Sequence, residues 1–256
     1  MRWKDSVTIV TGASRGIGAA VAKAAAAKGA RLGLIARSKE DLDDVLSACG
    51  GNGFVAAADV TVRAELEAAI ASLEGALGPV DVLVNNAGAG HYAKIVDADV
   101  SVFERLIALN YLGTVYATKA VLPGMFSRKH GHIVNVSSIV GRVSAPMEAA
   151  YSASKFAVAG FTDALRIEAN PHGVGVSIVD PGPVATDFFN ARGHDYARTF
   201  PKAVPAEDVA KAVIAAVERN IYEQFVPAWL RVAPVTQAVL PPIFRRSTSK
   251  SFKNVV

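Results

Sequence analysis

Short apolar runs alternate along the chain with longer, Ala-rich stretches in which apolar positions recur at helical spacing. The runs at 6–11 (SVTIVT), 31–36, 53–58, 80–85 (VDVLVN), 131–137 (GHIVNVS), 174–180 (VGVSIVD) and 221–226 predict strands. The stretches at 16–29, 39–49, 62–77, 99–129 with a break inside it, 149–169 and 205–219 predict helices. Strands that alternate with helices imply right-handed crossovers. The expected class is α/β, a doubly wound parallel sheet of about seven strands with helices on both faces. Uninterrupted apolar cores such as VTIV and VLV fit strands buried on both sides. No linker, repeat or low-complexity block divides the chain. Residues 1–226 therefore read as one domain, and 227–256 as an extension of it, punctuated by proline and then basic and polar (FRRSTSKSFK).

Composition narrows the function classes. The chain has 256 residues, 51% of them hydrophobic, enough to bury a sizeable core. Its 27 basic and 23 acidic residues leave a net charge of +4, and no long Lys/Arg run argues for nucleic acid. Cys49 is the only cysteine, so no intrachain disulfide forms, and a cytoplasmic setting is expected. The N-terminus runs directly into a strand without the apolar core of a signal peptide. The nearest approach to a spanning segment, 225–244, contains Arg231 and four prolines.

The first predicted strand ends in TGASRGIG, residues 11–18. Gly12, Gly16 and Gly18 permit a tight turn and close backbone approach to a ligand. The following helix aims free N–H groups at that turn, as a pyrophosphate requires. A lone glycine motif is weak, but its place after the first strand of a βαβ unit strengthens it. This gives the fold a Rossmann-like character. The second strand ends in Ala36-Arg37, where an acidic residue would accept a ribose hydroxyl in an NAD binder. Arg37, with Arg15 from the glycine loop, suits a 2′-phosphate instead. NADP(H) is therefore the preferred cofactor, with NAD(H) left open.

A second constellation lies in YSASK, residues 151–155. On a helix, Tyr151 and Lys155 stack one turn apart. A phenol titrates near pH 10, and lowering it to about 7 requires roughly 4 kcal/mol. A cation about 4 Å away contributes roughly that amount at an effective dielectric of 20, while burial opposes it. Lys155 is thus expected to tune the phenol.

Together these motifs resemble the short-chain dehydrogenase/reductase family in its single-domain form. The resemblance covers about residues 5–226 and rests on TGASRGIG, Asp59, NNAG (85–88), Asn110, Ser138, YSASK and PGPVATD (181–187), in the family's order. It implies that Ser14, Arg15 and Ile17 join the three glycines against the cofactor, that Asp59 bonds the adenine amino group and that Val60 lines the adenine pocket. Asp59 has a plainer alternative as a turn or capping residue. In the family's pattern Asn85 and Asn86 steady the sheet, while Ala87 and Gly88 leave room for the cofactor; for Asn86 a purely structural role stands equally beside direct binding. Pro181 and Gly182 resemble the turn beside the nicotinamide, and Thr186 the hydroxyl on its carboxamide, with an N-cap as the alternative. Ser138, thirteen positions before Tyr151, would hold a substrate carbonyl beside the phenol. Lys155 would also bind nicotinamide ribose hydroxyls. Asn110 matches an asparagine at a helix irregularity whose carbonyl holds a water linked to Lys155.

The implied activity is NADP(H)-dependent hydride transfer between nicotinamide and a carbonyl or secondary alcohol. A non-catalytic dinucleotide sensor or interaction protein on the same fold is the main alternative, and a sugar-nucleotide epimerase a third. A lid is expected over 187–203. Phe188, Phe189, Tyr196 and Phe200 in it, with His91, Tyr92 and Met147 opposite, suggest a lipophilic ketone or aldehyde, although these aromatics would equally pin the lid. No metal site is expected. A homodimer or homotetramer through 99–129 and 149–169 is the family default. The tail carries apolar Trp229, Leu230, Val232, Val235, Val239 and Leu240 beside Arg231, Arg245, Arg246 and Lys250. Packing onto protein is favoured there over docking on an anionic membrane.

Overall fold

A computed structural model describes residues 2–194 and 201–252. The chain runs β1 (Val7–Thr11), α1 (Gly16–Ala27), β2 (Arg31–Ala36), α2 (Lys39–Ala48), β3 (Gly53–Ala57), α3 (Arg63–Leu77) and β4 (Val82–Asn85). It continues with α4 (Val100–Leu106), a π-helical segment (Ile107–Leu112), α5 (Gly113–Arg128), β5 (Gly131–Val136), α6 (Ala149–Ala169) and β6 (Val174–Pro181). The last part holds α7 (Phe188–Ala191), α8 (Ala206–Arg219), β7 (Glu223–Val226), a 3-10 turn (Ala228–Arg231), α9 (Val232–Val239) and α10 (Pro241–Phe252).

All seven expected strands form, each within two residues of its expected bounds, and pair in parallel in the order β3-β2-β1-β4-β5-β6-β7. Side chains alternate between the two faces of each strand. Val10, Leu32, Leu34, Val84 and Val134 face α1 and α8 in one core. Ile9, Ile35, Leu83 and Ile133 face α3, α5 and α6 in the other. Each fully buried Leu or Ile in these layers contributes about 1.5–3 kcal/mol relative to exposure.

The break expected within 99–129 is the π-helical turn at Ile107–Leu112. It carries Asn110, fully buried, whose Nδ2 donates to the Ala89 carbonyl at 3.0 Å and to Ser154 Oγ at 2.8 Å. The irregular turn thus fastens the β4–α4 connection to α6.

The extension differs most from its sequence reading. It forms two helices, with Pro241 at the first position of α10, where a missing N–H costs nothing. Leu230 anchors it against the Gly182 turn: a Cβ built on Gly182 would lie 2.6 Å from Leu230 Cδ1. No helix among the described residues is long and apolar enough to cross a membrane.

Candidate active site

β1 and β4 are neighbours although their connections leave in opposite directions, so a crevice opens at their carboxyl ends. A cleft of about 1660 Å³ lies there. That exceeds the 300–1,000 Å³ usual for one drug-sized ligand and leaves room for a dinucleotide and a second molecule.

Gly12, Ser14, Arg15, Gly16 and Ile17 line the cleft floor. Gly12 sits at φ +63°, and a Cβ there would meet Ala87 Cα at 2.7 Å. Gly18 does not line the cleft; its missing Cβ would fall 2.2 Å from the Gly12 carbonyl oxygen, so it sets how closely α1 approaches the turn. Arg15 precedes α1 in extended conformation without a side-chain cap, and the first turn holds no acidic residue. The N–H groups of that turn are left for an anion, which is the fit a pyrophosphate requires.

Arg37 and Asp59 stand at one end of the cleft, beside Ala36, Ala58 and Val60. Arg15 and Arg37 are both exposed there, and neither forms a salt bridge among the described residues. Asp59 Oδ1 accepts from the Thr61 N–H at 2.9 Å and the Thr61 hydroxyl at 2.8 Å. These bonds, the backbone one foremost, hold its carboxyl below the usual range. The turn role weighed for Asp59 is therefore real, and the residue reaches the cleft as well.

The NNAG stretch divides its work. Asn85 is buried in a lattice, donating to Thr118 Oγ1 at 3.1 Å and Asn135 Oδ1 at 2.9 Å. Asn86 Nδ2 donates to the carbonyls of Thr11 and Gly12, both at 3.1 Å, which fixes the glycine loop against β4. Asn86, Ala87 and Gly88 all line the cleft. A Cβ on Gly88 would meet Asn110 Oδ1 at 3.0 Å and Lys155 Nζ at 3.6 Å.

Ser138 follows β5, and Tyr151 and Lys155 share one face of α6; all three are buried and line the cleft. Pro181, Gly182 and Thr186 line it on the far side. Lys155 Nζ lies 5.9 Å from the Tyr151 ring centre and donates to the Val136 carbonyl at 2.9 Å. Ser138 Oγ donates to the Pro181 carbonyl at 3.4 Å and accepts from the Val140 N–H at 3.4 Å. The Thr186 hydroxyl accepts from the Phe188 N–H, the first of α7, at 3.4 Å, while Asp187 in the N-cap position makes no side-chain cap.

The electrostatics correct the simple expectation for the phenol. Burial pushes the Tyr151 pKa up, the Glu148 charge adds to this, and the Ser138 hydrogen bond opposes it. The Lys155 charge does not outweigh the burial: its ammonium donates to a backbone carbonyl, and burial lowers its own pKa to about 8 against the attraction of Asp180. Tyr151 is thus held as a protonated phenol, the form that donates. The Asn110 carbonyl accepts the Thr114 hydroxyl at 3.0 Å.

On the substrate side, Tyr92, Phe188 and Phe189 line the cleft, with the Phe188 ring 5.4 Å from Tyr151. His91 and Met147 do not line it. Met147 adopts φ +70° and accepts from the Ala93 N–H at 2.9 Å, so its backbone serves a turn. Tyr196 and Phe200 lie outside the described residues. Two groups not anticipated from the sequence stand here. Arg192, buried directly after α7, pairs with Glu148 and covers the rings of Tyr92 at 4.9 Å and Phe189 at 4.6 Å. Behind the site, Arg142 Nε meets the fully buried Asp180 at 3.0 Å, and Nη2 meets Glu223 at 2.8 Å. Burial raises the Asp180 pKa to about 6 against the pull of Arg142. No cluster of potential metal ligands occurs among the described residues.

The model of the short chain dehydrogenase family matches residues 6–197. Dehydrogenase/reductase SDR family member 7B of Mus musculus is 34% identical over 261 residues, covering 95% of this chain and 80% of its own length. A short chain dehydrogenase from Burkholderia cenocepacia, solved in complex with NADP, superposes with a TM-score of 0.84 at 30% identity, covering 97% of this chain and 99% of that one. An alcohol dehydrogenase from the archaeon Thermococcus sibiricus, complexed with 5-hydroxy-NADP, gives a TM-score of 0.77 at 28% identity over 86% of this chain and 95% of the other.

Proposed function

Because the chain belongs to the short-chain dehydrogenase/reductase family and is an oxidoreductase, we propose that it transfers hydride between NADP(H) and a carbonyl or secondary alcohol, with a lipophilic ketone or aldehyde as substrate. The observation that carries this reading is one cleft that holds Ser138, Tyr151 and Lys155 beside the Gly12–Gly18 turn. The solved relatives captured with NADP or its 5-hydroxy form support the cofactor class. So do Arg15 and Arg37, two exposed cations that line the cleft and suit a 2′-phosphate.

When bound, the reduced nicotinamide supplies hydride to the carbonyl carbon. The chain's own residues do the rest. The uncapped start of α1 receives the pyrophosphate. Pro181, Gly182 and Thr186, which line the cleft, would hold the nicotinamide, and Lys155 would bind its ribose. Ser138 orients the carbonyl oxygen and stabilises the charge that develops on it. Tyr151, kept neutral by burial, gives its proton to that oxygen, and the phenolate formed is steadied by the Ser138 hydroxyl and the Lys155 charge. Proton resupply runs past Lys155 toward Asn110. Tyr92, Phe188 and Phe189 present an apolar wall to the substrate.

A spectrophotometric screen with NADPH or NADH against ketone and aldehyde classes tests this. The expected outcome is NADPH consumption, fastest with apolar carbonyls. NADPH binding without turnover across every class would overturn it and favour a sensor.

A further inference from the structure

The extension presents an apolar face that none of the described residues covers. Val232, Val235 and Val239 fall on one side of α9, spaced three and four residues apart, and two further apolar residues, Leu240 at the α9–α10 junction and Ile243 in the first turn of α10, follow along the chain. All are well exposed, from 49% for Leu240 to 69% for Val239. Trp229, 46% exposed, adds an amphipathic ring at the start of the row. The opposite side of the same extension is occupied: Leu230, Phe244 and Thr248 line the cleft. Every charged residue from 227 to 256 is basic, namely Arg231, Arg245, Arg246, Lys250 and Lys253.

We propose that residues 228–249 form a docking surface for an anionic lipid bilayer, with the apolar residues entering the headgroup boundary and the arginines meeting lipid charge. An apolar helical face bordered by basic residues matches the chemistry of such an interface. A second copy of the chain fits less well. A two-fold contact sets the same patch against itself, and this segment has no Asp or Glu to answer the basic residues brought together. The placement also carries a consequence for substrate entry, which rests on the reductase reading. Because α10 walls the cleft, a docked molecule holds the cleft beside the lipid in which an apolar carbonyl dissolves.

Vesicle flotation of the full chain tests the surface independently of turnover. The probes are pure phosphatidylcholine vesicles and phosphatidylcholine/phosphatidylserine vesicles, each at low and high salt. The protein floats with the serine-containing vesicles at low salt and is released at high salt. Arg245→Glu with Arg246→Glu lowers the bound fraction roughly tenfold or more. Val235→Glu with Val239→Glu abolishes flotation while NADPH affinity and melting temperature hold. Protein that stays at the bottom with serine-containing vesicles at low salt overturns the proposal. So does a Val235→Glu/Val239→Glu variant that floats unchanged, or one whose solution mass by light scattering drops, which would assign the face to a second copy.

Discussion

At the scale of single residues, the site depends on which form of each buried group the protein holds. Tyr151 keeps its proton because burial outweighs its neighbours, and Lys155 titrates near pH 8 because burial disfavours its charge. Below that pH the ammonium is present; above it, the charge is lost. The expected result is a kcat/KM for carbonyl reduction that falls above about pH 8, measured as a pH–rate profile. Lys155→Arg, whose guanidinium does not deprotonate in that range, moves the falling limb upward even though its rate is lower. Arg142 illustrates the other side of burial. It is the cation nearest a fully buried Asp180, so Arg142→Leu leaves an uncompensated carboxylate and costs about 3–5 kcal/mol by denaturant unfolding. Arg142→Leu with Asp180→Asn recovers most of that loss. The sequence shows Tyr151 and Lys155 because their spacing is local, and Ser138 and Asn86 through the family resemblance of their motifs. It does not show Arg142–Asp180 or Glu148–Arg192, whose partners are 38 and 44 positions apart with no shared periodicity.

Among the elements, strands and helices were legible because each buries a face, and burial imposes a period on the apolar positions. The π-helical turn showed only as a break, since the signal for it is one polar residue, Asn110, in an otherwise helical run. The β1–α1 junction is where element geometry and ligand binding meet most closely. Gly18 has ordinary helical backbone, yet a Cβ there would strike the Gly12 carbonyl oxygen. Gly18→Ala therefore pushes α1 off the turn. NADPH affinity weakens at least about tenfold, a change of ~1.4 kcal/mol, in a fluorescence titration, with the circular-dichroism spectrum of the fold retained. His91 and Met147 fell outside the cleft for a related reason. Proximity in sequence to Tyr92 and Tyr151 does not decide which side of a loop a residue faces, and at Met147 a positive-φ turn decided it.

For the whole molecule, the parallel sheet and its cleft could be read from the order of elements, and the family from the resemblance of its motifs. The extension could not, because proline punctuation hides short helices and exposure of an apolar row is a property of the assembled surface. At this scale Arg15 and Arg37 line the cleft, while Arg245 and Arg246 lie on the surface of α10. A charge-assisted hydrogen bond is worth about 1.5–3 kcal/mol. Arg37→Ala should accordingly raise the KM for NADPH about 10–100-fold and leave the KM for NADH nearly unchanged, by initial-rate kinetics with each cofactor.

The most direct measurement pairs NADPH titration with single-turnover reduction in Tyr151→Phe, using a carbonyl that the wild type reduces. Removal of the phenolic oxygen should leave NADPH affinity within about twofold, ~0.4 kcal/mol, and slow the reduction about 10²–10⁴-fold. A Tyr151→Phe protein that reduces the carbonyl at the wild-type rate would show that the proton comes from elsewhere.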